Sequence, residues 1–212
     1  MAGATMAKLY FRYGAMNSGK TTALIQVDHN YQERGMATIL VKPKVDSKGS
    51  TRILSRLDIH RDVDILAEKD DNLYQILKEE KQNGTNYRCV LVDEAQFLTA
   101  AQARQLFEFT VLEDIPVICY GLRTDFQMQG FEGSKELLLL AHSIEELKTI
   151  CRCGRKAIAN TRKVNNRFVF EGDQVAIDGE DFVEYEPLCA QCYFELKKQN
   201  FDELPKLLPE GE

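Results

Sequence analysis

The chain has 212 residues, 44% of them apolar and 28% charged, with a net charge of −6. That is long enough for one domain with a proper core plus a small appendage, and too acidic for broad, sequence-independent binding to nucleic acid. The longest purely apolar run, LLLLA at Leu137 to Ala141, is far short of the roughly 20 residues of a membrane span. The start MAGATM lacks the basic and apolar regions of a secretory signal, so a cytoplasmic location with no membrane partner is expected.

From Lys8 to about His142 strand-like and helix-like segments alternate. KLYFRY predicts a strand ending at Gly14, and a helix follows from Lys20 to about Arg34, stopped by Gly35. ATILVKP predicts the next strand; a polar loop from Val45 to Arg56 then leads to a weaker strand near Val63 to Leu66. A helix over Asn72 to Gln82, a buried strand CVLVDE, a helix from Thr99 to about Glu113, a strand IPVICYG and a short helix from Gly133 to His142 complete the series. This order predicts an α/β fold with a mostly parallel sheet covered by helices on both faces.

Near Ile150 the texture changes to cysteines, basic residues and short β-like runs such as RFVFEGDQVAI, followed by a helix over Cys189 to Lys198. The expected division is a nucleotide-binding domain at 1–148, a small cysteine-bearing domain at 149–198, and a loose tail at 199–212. The stretch Arg152 to Arg167 holds Arg155, Lys156, Arg162 and Lys163 and no acid. It reads as a solvated face paired with acids elsewhere, or as a phosphate- or nucleic-acid-binding stripe.

GAMNSGKT, Gly14 to Thr21, fits G-x-x-x-x-G-K-[ST] at every fixed position, after a predicted strand and before a predicted helix. That context predicts a phosphate cradle. Backbone N–H groups of Gly14, Ala15, Met16, Asn17, Ser18 and Gly19 curl toward one anion at the positive end of a helix that begins Lys20-Thr21-Thr22. Lys20 would reach the terminal phosphates, and the Thr21 hydroxyl would ligate Mg²⁺. Asp93 ends the apolar run CVLV and is placed to serve the same Mg²⁺. The adjacent Glu94 would side with the opposite face if the strand continued. An acid beside the terminal phosphate either polarises water, as in an ATPase, or takes a proton from a substrate hydroxyl, as in a kinase. No base-reading N/T-K-x-D segment is present, so ATP is the expected donor.

Of six cysteines, Cys89 and Cys119 sit in apolar runs and read as small hydrophobes. Cys151 with Cys153, and Cys189 with Cys192, form two close pairs. Four thiolates complete a closed tetrahedral Zn²⁺ shell, a structural rather than catalytic site; free or partly oxidised thiols are the alternative.

Taken together, GAMNSGKTT, VLVDEAQF, NYQERG, YGLRTDF and a cysteine module carrying QVAIDG closely resemble the cytosolic and bacterial-type thymidine kinase family, from Leu9 to about Tyr193. Bacterial members share the one-residue gap of the first cysteine pair. The resemblance implies a P-loop NTPase-like kinase domain with a small C-terminal zinc-binding, ribbon-like domain. It implies transfer of the ATP γ-phosphate to the 5′-hydroxyl of thymidine, with Glu94 as general base and Lys20 stabilising the transferred phosphoryl. A loop between the cysteine pairs would close over the base through backbone groups of Val175, Ala176, Ile177, Asp178 and Gly179. The thymine methyl would meet Met16, Leu122, Thr161 and Tyr185, and Phe97, Phe126 and Phe131 would pack against the base or behind it. Phe126 reads equally as plain core. A homotetramer with ATP and thymidine as partners, and no nucleic acid, is the family expectation. The alternatives are a broader deoxypyrimidine nucleoside kinase and a nucleic-acid-dependent P-loop ATPase.

Overall fold

Residues 6–45, 52–54, 60–172, 174 and 183–203 are described by a computed structural model. They fall into two compact units. One takes in Met1–Gly14, Gly19–Arg123 and Gly130–Leu147, and the other Ala15–Ser18, Thr124–Gln129 and Lys148–Glu212, each through its described residues.

In the first unit the chain runs β1 (Leu9–Tyr13), α1 (Lys20–Gln32), β2 (Ala37–Pro43), β3 (Arg52–Leu54), β4 (His60–Asp62), β5 (Ile65–Ala67), α2 (Leu73–Gln82), β6 (Tyr87–Val92), α3 (Ala100–Glu113), β7 (Val117–Gly121), α4 (Glu132–Leu140) and β8 (Ser143–Glu146). Six strands form one sheet in the order β5-β2-β6-β7-β1-β8. Each neighbouring pair is parallel. The expected α/β class with a mostly parallel sheet is therefore present.

The apolar strands explain the layering. Side chains alternate along a strand, and in β6 both sets are apolar. Val90 and Val92 join Leu73, Leu77, Leu106, Phe109 and Leu137 from α2, α3 and α4. Cys89 and Leu91 join Leu24 and Ile25 of α1 and Ile53 of β3 on the other side. A strand buried on both faces reads as a continuous apolar run, which is why CVLV and VICY stand out in the sequence. Burial pushes the Cys89 thiol up to about 12 and raises Cys119 as well. The reactive species is the thiolate, so native protein at pH 8 should leave both residues unmodified by a thiol-specific alkylator, with labelling only after denaturation. Rapid native labelling of either would contradict this packing. The unfolded thiol ionises first, so stability falls as pH rises from the ordinary value of 9.0 toward about 12.

Three strands, β3, β4 and β8, differ from the sequence reading. Part of the expected polar loop is β3, which pairs antiparallel with β4. This hairpin is fastened by charge: Arg61 Nε lies 3.2 Å from Asp28 Oδ2 and its Nη2 2.8 Å from Asp64 Oδ2. Asp28, 4% exposed on α1, also accepts from Thr38 Oγ1 and from Gln32 Nε2. Strand β8, SIEE, is a polar edge that extends the sheet beyond β1. Its Glu145 lies opposite Arg12 and pairs with it at 2.8 Å. Charged edges of this kind carry little apolar signal and block edge-to-edge association.

Helix α3 begins as the sequence indicates. Thr99 Oγ1 accepts from Gln102 N, and Gln102 Oε1 accepts from Thr99 N, each at 3.1 Å, closing a capping box. Thr99→Ala should cost about 1–2 kcal/mol, seen as a lower denaturant midpoint with an unchanged slope.

The second unit contains β9 (Thr149–Ile150), β10 (Lys156–Ala157), β11 (Ala159–Val164), β12 (Arg167–Val169), β13 (Val183–Leu188) and α5 (Ala190–Glu203). Strands β12-β11-β13 form an antiparallel sheet. Its core joins Ala157, Ala159, Phe170, Leu188 and Tyr193 to the cysteines. The basic stretch resolves into this sheet. Arg152 and Lys163 both pair with Glu186, and Arg162 is 6% exposed with its guanidinium carbon 3.7 Å from the Phe126 ring centre. Helix α5 continues past Lys198 to Glu203, so the first residues of the expected loose tail are helical; 204–212 lie outside the described residues. No helix among the described residues is long and apolar enough to cross a membrane.

Candidate active site

The predicted phosphate loop leaves β1 at Gly14, whose N–H donates to Gly121 O at 3.2 Å. It enters α1 through Gly19, the N-cap, at φ +77°. A left-handed N-cap favours glycine, and one without a side chain leaves the first-turn amides of Lys20, Thr21 and Thr22 to other acceptors. Lys20 Nζ lies 3.4 Å from Gly14 O. Burial lowers its pKa, against the attraction of Glu94 and Asp93.

The acids follow β6. The strand stops at Val92, so the alternation that would send Glu94 to the opposite face does not apply. Asp93 N–H donates to Val41 O at 3.0 Å, and Glu94 takes φ +50° to head a single 3₁₀ turn, Ala95–Phe97. A left-handed glutamate is costly and marks a conformation imposed by its surroundings. Burial and the Glu94 charge raise the Asp93 pKa, while Lys42 and Lys20 hold it down. Lys20, Asp93 and Glu94 thus lie within electrostatic reach of one another inside the first unit.

The same unit places Phe97 edge-on to Phe131, ring centres 5.5 Å apart. Leu122, 8% exposed, donates its N–H to Gln96 Oε1 at 2.9 Å. Gln96 had no signal in the sequence beyond its place after two acids. It is 2% exposed, and its Nε2 donates to the Glu94 carboxylate.

The second unit holds Met16, Phe126, Thr161 and Tyr185. Met16 N–H donates to Asn160 Oδ1 at 2.8 Å, and Asn160 Nδ2 donates to Thr124 O at 2.9 Å. Asn160 is 3% exposed, so a buried amide holds the loop that carries Met16 with its oxygen and the backbone at Thr124 with its NH₂ group. Thr161 is fully buried and donates its hydroxyl to Glu186 O at 2.8 Å. Tyr185 is half-buried on β13 opposite Arg162. Phe126 is 1% exposed beneath Arg162, and its carbonyl accepts from Tyr193 Oη at 2.8 Å. Val175, Ala176, Ile177, Asp178 and Gly179 lie outside the described residues.

Cys151, Cys153, Cys189 and Cys192 come together, with all four Sγ atoms within 4.8 Å of one another and Cys153 Sγ 3.6 Å from Cys189 Sγ. Four thiolates about 2.3 Å from one zinc ion sit roughly 3.8 Å apart, so the set fits the metal. Two turns shape it: Gly154 N–H donates to Cys151 O at 2.8 Å, and Cys192 N–H points at Cys189 Sγ at 3.5 Å. None of the six cysteines is in a disulfide.

A family model described as thymidine kinase matches residues 7–193. The chain belongs to the thymidine kinase family. Similar proteins bear the same name. The thymidine kinase of Legionella pneumophila (strain Lens) is 49% identical over 178 residues, covering 83% of this chain and 85% of the relative. That of Rhodopirellula baltica is 45% identical over 205 residues, 95% of each. That of Shewanella oneidensis is 44% identical over 192 residues, 90% of this chain and 98% of the relative. The thymidine kinase resemblance read from GAMNSGKTT and VLVDEAQF is borne out.

Proposed function

We propose that this chain is a thymidine kinase that transfers the γ-phosphate of ATP to the 5′-hydroxyl of thymidine, giving thymidine monophosphate. The observation that carries the reading is the cluster of Lys20, Asp93 and Glu94 on one phosphate loop and one strand end, in a member of this family. Phosphoryl transfer depends mainly on positioning and charge stabilisation. In this reading the amides of 14–19 and of Thr22 hold the phosphates, and Lys20 offsets charge on the transferred group. The Thr21 hydroxyl and the Asp93 carboxylate are hard oxygen donors of the kind Mg²⁺ takes, and the ion would neutralise charge on the nucleotide. Glu94 accepts the 5′-hydroxyl proton as the oxygen attacks phosphorus and ADP leaves.

Met16, Leu122, Thr161 and Tyr185 would meet the thymine methyl, and Phe97, Phe126 and Phe131 would pack against the base or behind it. The backbone of Val175 to Gly179 would close over the base. Residues 1–148 would act as the kinase domain and 149–198 as a domain pinned by structural zinc, with 199–212 as the tail. A cytoplasmic homotetramer is part of the same proposal.

The test is a panel of nucleosides and single-stranded DNA with Mg-ATP. Thymidine should yield labelled monophosphate. Equal rates with deoxyuridine would instead support a broader pyrimidine kinase, because one methyl in an apolar pocket is worth only about 1–3 kcal/mol. Hydrolysis stimulated by DNA without nucleoside would favour an ATPase. The ion pairing of Arg152 and Lys163 and the burial of Arg162 speak against that outcome.

A further inference from the structure

Resting on the reading of Glu94 as general base, we propose that Gln96 is a positioning residue that fixes the Glu94 carboxylate and links it to the backbone at Leu122. The direction of its amide follows from chemistry. Leu122 N–H is a donor and meets one end of the side chain at 2.9 Å, so that end is Oε1 and the other is the NH₂ group. The NH₂ group then faces Glu94 Oε2 and donates to it.

The amide is confined from another side as well. A Cβ at Gly121 would lie 2.8 Å from Gln96 Oε1 and 3.0 Å from Gln96 N, so the glycine lets strand β7 close against the 3₁₀ turn. With 2% exposure, Gln96 has no water to substitute for a lost partner, and each unpaired end would be costly. Glu94 needs such a support. Its backbone is left-handed, and a carboxylate on a single strained residue has several rotamers open to it. A neutral amide sets the carboxylate plane without adding charge or supplying a proton, so Gln96 acts through Glu94 and not on the substrate. Because its other end is on Leu122, displacement of that backbone is felt at the carboxylate.

Steady-state kinetics of the full chain with Mg-ATP and thymidine test this. Gln96→Glu keeps an oxygen for Leu122 N–H and removes the donor to Glu94, whereas Gln96→Leu removes both. Each should lower kcat by about 10- to 100-fold, the range for a hydrogen bond to a charged group. For Gln96→Glu, which keeps an acceptor for Leu122 N–H, KM for both substrates should stay within roughly threefold. In a Glu94→Gln background, Gln96→Leu should lower kcat by less than about threefold, because its target carboxylate is gone. A Gln96→Glu enzyme with parental kcat would overturn the proposal. So would equal losses from Gln96→Leu in both backgrounds, which would mean an action independent of Glu94. Near-parental turnover of Glu94→Gln alone would overturn the general-base reading itself, an outcome distinct from failure at Gln96.

Discussion

Glu94→Gln should lower turnover by about 10²- to 10⁴-fold while ATP still binds, the usual contribution of a positioned general base. The change is nearly isosteric, and the left-handed turn at Glu94 is set by the end of β6 rather than by the charge. Two hydrogen bonds of the loop, Gly14 N–H to Gly121 O and Lys20 Nζ to Gly14 O, end on backbone carbonyls, and the Glu94 charge acts on Lys20 from a distance. Loss should therefore fall on kcat, with nucleotide affinity by fluorescence titration close to the parent. Near-normal turnover would remove Glu94 from the chemistry. Loss of nucleotide binding in parallel would show that the carboxylate is needed to shape the loop.

The second large effect is expected at the cysteines. Cys189→Ser removes one of four sulfurs whose positions fit a single zinc ion. Structural zinc contributes folding free energy comparable to the whole stability of a small domain. Among the described residues the apolar core of the second unit centres on Phe170, Leu188 and Tyr193 beside two of the cysteines themselves, so loss of the metal should loosen it. The expected result is about one zinc per chain in the parent and well under one in the variant, with rapid proteolysis between 149 and 198. Zinc-free parent protein that keeps a protease-resistant C-terminal unit would contradict the assignment. The turns at Gly154 and Cys192 would then shape a cluster of plain thiols.

How much of this was readable in the sequence depended on how each residue is used. Strands β6 and β7 announce themselves because both faces are buried, and the four cysteines because metal geometry demands close pairs. The phosphate loop is legible because its backbone needs glycine at fixed places. Strand β11, ANTRKV, gives no such signal. Its Asn160, Thr161 and Arg162 are buried, but each packs on or bonds to a partner distant in sequence: Met16 and Thr124, Glu186, and the ring of Phe126. Gln96 is hidden in the same way, since its value lies in holding Leu122 and Glu94 at once. Polar groups that close tertiary networks have no period and no local motif, so the sequence exposes them only as ordinary polar residues. Strand β8 is missed for the opposite reason: as an exposed edge it has no apolar pattern to read.

The central claim is transfer of a phosphoryl group to one hydroxyl of one nucleoside, and product identification tests it most directly. The protein should be incubated with thymidine and Mg-ATP labelled in the γ-phosphate, and the labelled product identified by chromatography and phosphorus NMR. Thymidine 5′-monophosphate, formed in equal amount with ADP, is the result predicted. Labelled inorganic phosphate without labelled thymidine monophosphate, or no release of label at all, would contradict it.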